Sequence, residues 1–350
     1  MTKKVQIGEL KLGGGNPVLV QSMTNTDTRD VEATLKQIRA LAAAGCDLVR
    51  VSVYDEACAE AVKTLTDRSP VPLVADIHFD YKLAIRSAEN GIAKLRINPG
   101  NIGGEAKVRE LADCAKAHHI PIRIGVNSGS AEKELLEKYG GPTAECLVES
   151  ALNHARMLEK AGFDEIVLSM KSSDVRLTIE AYRLAHARCD YPLHVGVTEA
   201  GLPGQGTVKS AIGIGALLAD GIGDTIRVSL SGDPVPEAAA AWDILRALNL
   251  RVRGVQLIAC PTCGRTCIPV ADIGRQVEEA LADITVPLKV AVMGCVVNGL
   301  GEGREADVGI AGGKSGGVLF VKGKEPRKVE GNLAEALISE ARIVARERAK

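Results

Sequence analysis

The stretch Val18-Leu-Val-Gln-Ser-Met23, residues 31–44 (VEATLKQIRALAAA) and Leu48-Val-Arg-Val-Ser-Val53 has the pattern of a strand, a helix and a second strand. The flanking runs are short and β-branched, whereas 31–44 has apolar residues at helical spacing and stops at Gly45. Similar β-branched runs recur at 72–77, 93–98, 121–126, 165–170, 192–197 and 225–230. Eight such units predict an α/β protein with a (β/α)8 barrel of the TIM type, because an open doubly wound sheet rarely contains eight regular repeats.

The pattern changes at residues 250–254, which have the composition of a short linker. We therefore place the barrel in residues 1–250 and a smaller α/β domain in residues 251–350. Predicted strands at 255–259 and 288–293 each lead into a loop that contains cysteine. The second domain is completed by a predicted hairpin and two helices, at 308–321, 271–284 and 332–349. Because both cysteine loops follow strands, we expect them to meet at one edge of a sheet.

The composition limits the possible partners and location. The chain of 350 residues is 46% hydrophobic and 25% charged with a net charge of −1, and no apolar run reaches the roughly 20 residues that span a bilayer. The polar N-terminus lacks a secretory signal, so we expect a cytoplasmic protein without membrane contact, whose nine cysteines are thiols or metal ligands. Aromatic residues make up 3%, too few for platforms that stack bases, and we expect no nucleic-acid partner.

Basic residues recur near the ends of the predicted barrel strands, each with a polar residue on the same face of the strand. The set is Arg50 with Ser52, Arg96 with Asn98, Arg123 with Asn127, Arg227 with Ser229, and Lys171. Residues two apart in a strand point the same way, so these side chains should face the barrel axis. Burying five cations without counter-charge is costly, and Asp76 and Glu199 are the main carboxylates available. An anionic ligand with more than one phosphate group would balance them, although internal salt bridges remain the alternative.

Other polar residues fall at the predicted strand ends as well. Glu199 is placed for acid–base chemistry beside such a ligand, and charge balance for a neighbouring Arg is its alternative role. His78, His194 and Thr198 are further polar residues at these positions. A lone histidine is more often a core residue than a catalyst, so we assign no role to the two histidines.

The second domain contains a candidate metal site in Cys260, Cys263, Cys295 and Glu302. Two thiolates two residues apart can bind one metal centre from a single turn, and thiolates select zinc, copper(I) or iron–sulfur clusters. A fourth cysteine is missing, and Glu302 stands in a plausible fourth place as a weak, replaceable ligand. Cys267 extends the first loop to Cys-x-x-Cys-x-x-x-Cys, and a structural zinc site remains the alternative. The other thiols are expected to be inert, namely Cys46, Cys58, Cys114, Cys146 and Cys189.

Five motifs together resemble the 4-hydroxy-3-methylbut-2-en-1-yl diphosphate synthase family of the methylerythritol phosphate route to isoprenoids. They are Val20-Gln-Ser-Met-Thr-Asn-Thr, Leu95-Arg-Ile-Asn-Pro-Gly-Asn, Ile124-Gly-Val-Asn-Ser-Gly-Ser, Cys260-Pro-Thr-Cys-Gly-Arg and Gly294-Cys-Val-Val-Asn-Gly-Leu-Gly-Glu. The resemblance runs the whole length of the chain and fits the compact two-domain bacterial form. No motif position departs from the family pattern.

The resemblance implies an iron–sulfur oxidoreductase. Its barrel would bind 2-C-methyl-D-erythritol 2,4-cyclodiphosphate, and its C-terminal domain would hold one 4Fe–4S cluster per chain through Cys260, Cys263, Cys295 and Glu302. Reduced flavodoxin or ferredoxin would supply two electrons, which open the cyclic diphosphate and remove a hydroxyl as water. It also implies a head-to-tail homodimer in which the cluster domain of one subunit caps the barrel of its partner.

The family pattern also assigns roles by position. Substrate binding falls to Arg50, Arg96, Asn98, Arg123, Asn127, Lys171, Arg227 and Ser229. Glu199 becomes the expected proton donor, Glu302 acts at the cluster, and Cys267 has no ligand role.

Two other functions fit parts of the sequence. Lys171 on the sixth predicted strand could form a Schiff base in a lyase or aldolase that acts on a phosphorylated substrate, with zinc in a structural second domain. A regulatory or nucleic-acid-binding zinc knuckle is the other alternative, which the scarcity of aromatic residues disfavours.

Overall fold

A computed structural model of the chain describes residues 1–129, 131–296, 301 and 303–349. The chain divides into two compact units, Met1–Arg251 and Val252–Lys350. Their hydrophobic cores contain different residues. In the described part of the chain, no helix is both long and apolar enough to cross a membrane.

The first unit begins with an antiparallel hairpin of β1 (Val5–Ile7) and β2 (Leu10–Leu12), which was not predicted. Three of its side chains, from Val5, Ile7 and Leu12, are buried. They form a small apolar cluster with residues at the amino ends of four barrel strands, namely Leu19, Leu48, Val74 and Val167. The hairpin therefore closes the bottom of the barrel and supplies an apolar floor.

Eight parallel strands form the barrel, as predicted. They are β3 (Leu19–Met23), β4 (Leu48–Ser52), β5 (Leu73–Asp76), β6 (Lys94–Ile97), β7 (Ile122–Asn127), β8 (Ile166–Lys171), β9 (His194–Val195) and β10 (Thr225–Ile226). The sheet runs in the order β8-β7-β6-β5-β4-β3-β10-β9, and a parallel bridge between Leu168 and Leu193 joins its two ends. This closure rules out the open doubly wound sheet.

Ten helices cover the described part of the barrel. They are α1 (Val31–Ala43), α2 (Glu56–Arg68), α3 (Tyr81–Glu89), α4 (Pro99–Ile102), α5 (Glu105–Ala117), α6 (Lys133–Tyr139), α7 (Ala144–Lys160), α8 (Val175–Arg188), α9 (Gln205–Ala219) and α10 (Val235–Ala247). Aspartate side chains accept a hydrogen bond from the first turn of four of them, at Asp30, Asp55, Asp80 and Asp174. These caps satisfy free amide groups and so fix where the helices begin after each strand.

Two barrel strands are shorter than predicted. The sequence patterns at 192–197 and 225–230 suggested six residues each, whereas β9 and β10 have two. The Arg227 amide still donates to the Val195 carbonyl of β9, but at Leu230 the backbone bonds to a side chain, since the Leu230 amide donates to Glu237 Oε1 at 2.9 Å. The polar ends of these segments are therefore loops that line the mouth of the barrel.

The second unit contains a five-stranded mixed sheet with strands in sequence order. Its elements are β11 (Val255–Ala259), α11 (Val270–Ala280), β12 (Leu288–Met293), β13 (Val308–Gly313), β14 (Gly316–Val321), β15 (Arg327–Val329) and α12 (Leu333–Arg348). The first three strands are parallel, and β13 and β14 form the predicted hairpin. Both helices contribute to one hydrophobic core with the sheet, where Val277 and Leu337 join Val292 and Ile310.

Candidate functional site

The barrel contains a polar cavity of about 130 Å³ among its strand ends. Twelve residues line it, from seven of the eight strands or the loops that follow them: Arg50, Asp76, His78, Arg96, Arg123, Gly125, Asn127, Ser169, Lys171, Thr198, Arg227 and Ser229. All five predicted cations are among them, because the alternation along each strand turns these side chains inward. We call this the anion pocket. The structure brings Asn127 and Ser229 into its lining as well.

Two buried carboxylates contact the cations of the anion pocket. Asp76 lies 3.0 Å from Arg96 Nη1 and 3.7 Å from Arg50 Nε, and Glu237 lies 3.5 Å from Arg227 Nε. Burial alone would raise the pKa of Asp76, but the positive charges of Arg50 and Arg96 outweigh it and hold that pKa below its usual range. Asp76 is therefore ionised at neutral pH. The carboxylate of Glu237 lies beside the guanidinium of Arg227.

Glu199 does not balance the charge of these cations, because its side chain is exposed. Its neighbour Thr198 lines the anion pocket, whereas Glu199 has a left-handed backbone with φ of 51°. The sequence patterns did not identify Glu237, which contacts a pocket arginine instead of Glu199. Glu237 lies in the first turn of α10 and is buried. An acidic residue at this position normally faces solvent and interacts favourably with the positive end of the helix dipole, so no local sequence pattern indicates that Glu237 is buried.

Positive charge exceeds negative charge in the anion pocket. The guanidinium of Arg123 is buried, and its Nε and Nη1 atoms have no hydrogen-bond partner within the described residues. Burial, together with the charges of the neighbouring arginines, lowers the pKa values of Arg123 and of Lys171. Five cations against two carboxylates leave an uncompensated positive charge, which an anionic ligand would neutralise.

Two glycines make room for the cations. A Cβ atom on Gly125 would lie 2.6 Å from Arg96 Nε, and one on Gly196 would lie 2.8 Å from Lys171 Nζ and 2.5 Å from the carbonyl oxygen of Arg227. Real Cβ atoms essentially never make such contacts, so glycine fits best where these long side chains cross the barrel. The glycine in the Ile124-Gly-Val-Asn motif thus has a direct steric reason.

Other predicted residues have mixed placements. Asn98 is buried, but its Oδ1 accepts a hydrogen bond from the Gly100 amide and caps α4 rather than lining the anion pocket. His78 Nε2 lies 2.8 Å from Arg96 Nη1. Met23 was not predicted, yet its sulfur lies 3.0 Å from Arg50 Nε. Met23 lies two residues after Gln21 in β3, so the two-residue period of the strand could have placed both side chains on its inward face.

The two cysteine loops of the second unit meet, as predicted. Ala259 at the end of β11 pairs with Val292 of β12, and Cys260 follows directly. The Gly294 amide donates to Cys260 Sγ at 3.0 Å, and the Cys267 amide donates to the Gly294 carbonyl at 2.7 Å. Cys295 is therefore held next to the first loop.

The thiols differ in exposure and environment. Cys263 is exposed, and a hydrogen bond from the Arg265 backbone is the first cause that lowers its pKa. Glu302 lies outside the described residues. Within them, no three His, Cys, Asp or Glu side chains are close enough to hold a single metal ion. Thiols on two adjoining loops are soft donors of the kind that fits an iron–sulfur cluster, whose irons are bound by separate ligands.

Comparison with known proteins gives matches along most of the chain. Residues 2–242 match the GcpE TIM-barrel domain, and residues 256–343 match the GcpE protein C-terminal domain. The 4-hydroxy-3-methylbut-2-en-1-yl diphosphate synthase (flavodoxin) of Geobacter sulfurreducens is 58% identical over 99% of both chains. The protein of the same name from Clostridium perfringens is 57% identical over 96% of this chain and 97% of its own. Both matches span nearly the full length.

Solved structures share the fold at low identity. Dihydropteroate synthase of Yersinia pestis aligns with a TM-score of 0.51 and 15% identity over 72% of this chain and 100% of its own. The 3-dehydroquinate dehydratase of Geobacillus kaustophilus gives 0.50 and 14% over 71% and 99%. At these identities the likeness concerns the fold alone.

Proposed function

This chain belongs to the GcpE family, and we propose that it is a 4-hydroxy-3-methylbut-2-en-1-yl diphosphate synthase that uses flavodoxin. Its substrate is then 2-C-methyl-D-erythritol 2,4-cyclodiphosphate, and its place is in isoprenoid synthesis. One observation carries the proposal: a barrel pocket is lined by five cations that only two buried carboxylates contact in the described part of the chain, and the chain is 58% identical to a synthase of this name over nearly its full length. The pocket matches a substrate with two negative phosphate groups.

The reaction balances as a two-electron reduction. Written for the neutral acids, the cyclodiphosphate takes up two electrons and two protons and yields the linear diphosphate and one water. The bond between C2 and its phosphate oxygen breaks, the C3 hydroxyl leaves as water, and a double bond forms between C2 and C3. The other phosphate ester stays intact, so the product remains a diphosphate that the same cations can hold.

The anion pocket would bind and orient the diphosphate. Guanidinium groups match phosphate oxygens in pairs, and two donor atoms of Arg123 in the barrel interior have no partner among the described residues. Lys171, whose side chain makes no hydrogen bond or ion pair in the described part of the chain, would supply a point charge near Asn127 and Ser229. Arg50, Arg96 and Arg227 would complete the set while keeping their carboxylate partners.

The second unit would hold a 4Fe–4S cluster. Cys260, Cys263, Cys295 and Glu302 are the proposed ligands, and the meeting of the two cysteine loops supports this assignment. When bound, the cluster supplies the electrons and a Lewis-acidic iron. Asn98 is proposed as a positioning residue through its cap on α4, and Glu199 is proposed as a proton donor next to Thr198. The homodimer and the cytoplasmic location stay predictions.

The lyase alternative has no support from the relatives, whose names describe the synthase. Lys171 is therefore assigned to substrate binding. The zinc knuckle is likewise not retained.

Turnover of the cyclodiphosphate by protein purified without oxygen tests the function. With reduced flavodoxin we expect the linear diphosphate as product, and about four irons and four sulfides per chain. Cys260→Ser, Cys263→Ser and Cys295→Ser should each lose most of the iron and sulfide, whereas Cys267→Ser is the matched control in the same loop and should keep both. A loaded cluster without turnover would reject the reaction, and cluster loss in Cys267→Ser equal to that in Cys263→Ser would reject the ligand set.

A further inference from the structure

A second polar layer lies in the barrel between the anion pocket and the apolar floor. It consists of Gln21, Lys94, His194 and Thr225, which are all buried and belong to β3, β6, β9 and β10. The register places them one inward-facing step below the pocket, since Lys94 pairs with the floor residue Val74 whereas Arg96 pairs with Asp76. None of these four side chains was assigned a role in binding or catalysis.

Lys94 is the ionisable amine of this layer. Its Nζ has one hydrogen-bond partner among the described residues, the Gln21 side-chain oxygen at 3.2 Å, although an ammonium has three donors. A buried ammonium that lacks a carboxylate is strongly unfavourable, while a neutral amine is tolerated. The geometry therefore favours the neutral form of Lys94 in the protein without ligand.

The groups around Lys94 add to this effect. Arg123 on β7 and Arg50 on β4 are the charged neighbours that act on it, and His194 on β9 is buried with both ring nitrogens unpartnered among the described residues. Asp76 on β5 is already bound by Arg96 and Arg50. Burial first, and then the charges of Arg123 and Arg50, lower the pKa of Lys94 well below that of a free lysine.

Arginine keeps its proton in proteins, so the repulsion among these cations is relieved at a lysine. An anion in the pocket would neutralise Arg123 and Arg50 and thereby remove the charges that repel an ammonium below them. We propose that Lys94 is neutral while the anion pocket is empty and takes up a proton from solvent on Nζ when an anion binds above it. Anion binding is then coupled to proton uptake. This inference depends on the proposed function only for the identity of the natural anion, the cyclodiphosphate.

The coupling has a defined sign. At pH values between the pKa of Lys94 in the free protein and its pKa in the complex, anion binding takes up about one proton. In this range the affinity for the anion falls by up to about tenfold for each unit by which the pH rises. Each phosphorus of the cyclodiphosphate carries a single ionised oxygen, so this ligand has no proton to exchange near neutral pH. Sulfate is a second dianion with the same property, and its binding does not depend on the proposed reaction.

Calorimetric titration of the full chain, purified without oxygen, measures the coupling. Binding enthalpies for the cyclodiphosphate and for sulfate, taken between pH 7 and 9 in buffers of different ionisation enthalpy, give the number of protons taken up. We expect uptake in the wild type and a decrease of close to one proton in both Lys94→Met, which is always neutral, and Lys94→Arg, which is always charged. Because one variant is neutral and the other is positively charged, a folding defect in one of them still leaves the other as a test. Lys63→Met on the exposed face of α2 should not change the proton uptake.

Each outcome decides the matter. If the wild type takes up no proton on binding, the proposal is wrong. If either folded Lys94 variant takes up as many protons as the wild type, the proposal is also wrong, and the uptake belongs to Lys171 or His194. Sulfate binding with Lys94-dependent uptake, but no binding of the cyclodiphosphate, would reject the proposed function and leave the coupling intact. Failure of both anions to bind would reject the anion pocket and the coupling together.

Discussion

Arg123 and Arg251 have different roles although both are arginines: Arg251 stabilises the fold through an ion pair, whereas Arg123 is available to bind a ligand. Arg251 makes a two-pronged ion pair with Asp47, at 2.6 and 3.1 Å, and its guanidinium stacks on the ring of Trp242. Arg123 has no such partner among the described residues, and two of its nitrogens are buried and unpaired there. An uncompensated buried charge lowers stability and is typical of a site that waits for its ligand.

Arg123→Met should therefore weaken ligand binding without weakening the fold. Loss of a charge-assisted hydrogen bond costs about 1.5–3 kcal/mol, so we expect KM for the cyclodiphosphate to rise at least about tenfold. The melting temperature should stay the same or rise, because the substitution removes a buried charge without a partner. Steady-state kinetics and thermal unfolding monitored by circular dichroism measure the two quantities.

Arg251→Met is the matched control. It should lower the free energy of unfolding, because Asp47 loses its ion pair, and leave KM unchanged, because Arg251 lies outside the anion pocket. A drop in stability for Arg123→Met equal to that for Arg251→Met would show that Arg123 braces the barrel instead.

Among the elements, β9 is a strand whose geometry depends on one small residue. Gly196 follows its last residue, and a methyl group on this glycine would come within 3 Å of both the Arg227 carbonyl oxygen and Lys171 Nζ. The carbonyl belongs to the backbone after β10 and cannot rotate away as a side chain could. Any side chain at residue 196 must therefore separate these two segments.

Gly196→Ala should shift both Lys171 and the loop after β10. We expect a loss of about 1–3 kcal/mol in unfolding free energy, as for other overpacked interiors, and weaker substrate binding. Gly215→Ala in α9 is the control, since a methyl group there meets no atom within 4 Å and alanine favours the helix by up to about 1 kcal/mol. Unchanged KM and melting temperature in Gly196→Ala would contradict the close approach.

The elements also show what sequence patterns can predict. Alternation of inward and outward residues placed Arg50, Arg96 and Arg123 in one pocket, because each strand has a strict two-residue period. The same alternation sets Lys94 on the face of Arg96, so its position could have been predicted. Glu237 could not, because tertiary contacts alone decide whether a helix buries or exposes a residue of its first turn. The close approach of Gly196 to the Arg227 carbonyl and to Lys171 is likewise a contact between distant segments, so no local sequence pattern indicates it.

At the scale of the whole molecule, the two units have separate cores. The large core and the floor cluster lie within Met1–Arg251, while the core beneath α11 and α12 lies within Val252–Lys350. A barrel of about 250 residues buries roughly three quarters of the surface of its unfolded chain, enough to fold alone. The single tryptophan, Trp242, is buried in the first unit, where its ring nitrogen donates to the Gly45 carbonyl at 3.0 Å. Its fluorescence therefore reports on the barrel.

Residues 1–254 should fold on their own and keep the anion pocket. This fragment retains Arg251 with its partner Asp47 and contains all twelve residues that line the pocket. We expect its Trp242 fluorescence to give one cooperative unfolding transition, with a denaturant midpoint close to that of the same signal in the full chain. Sulfate should raise both midpoints by a similar amount, because ligand that binds only the folded state stabilises it. A fragment that unfolds without cooperativity, or that sulfate fails to stabilise while the full chain responds, would show that the barrel needs the second unit to complete its pocket.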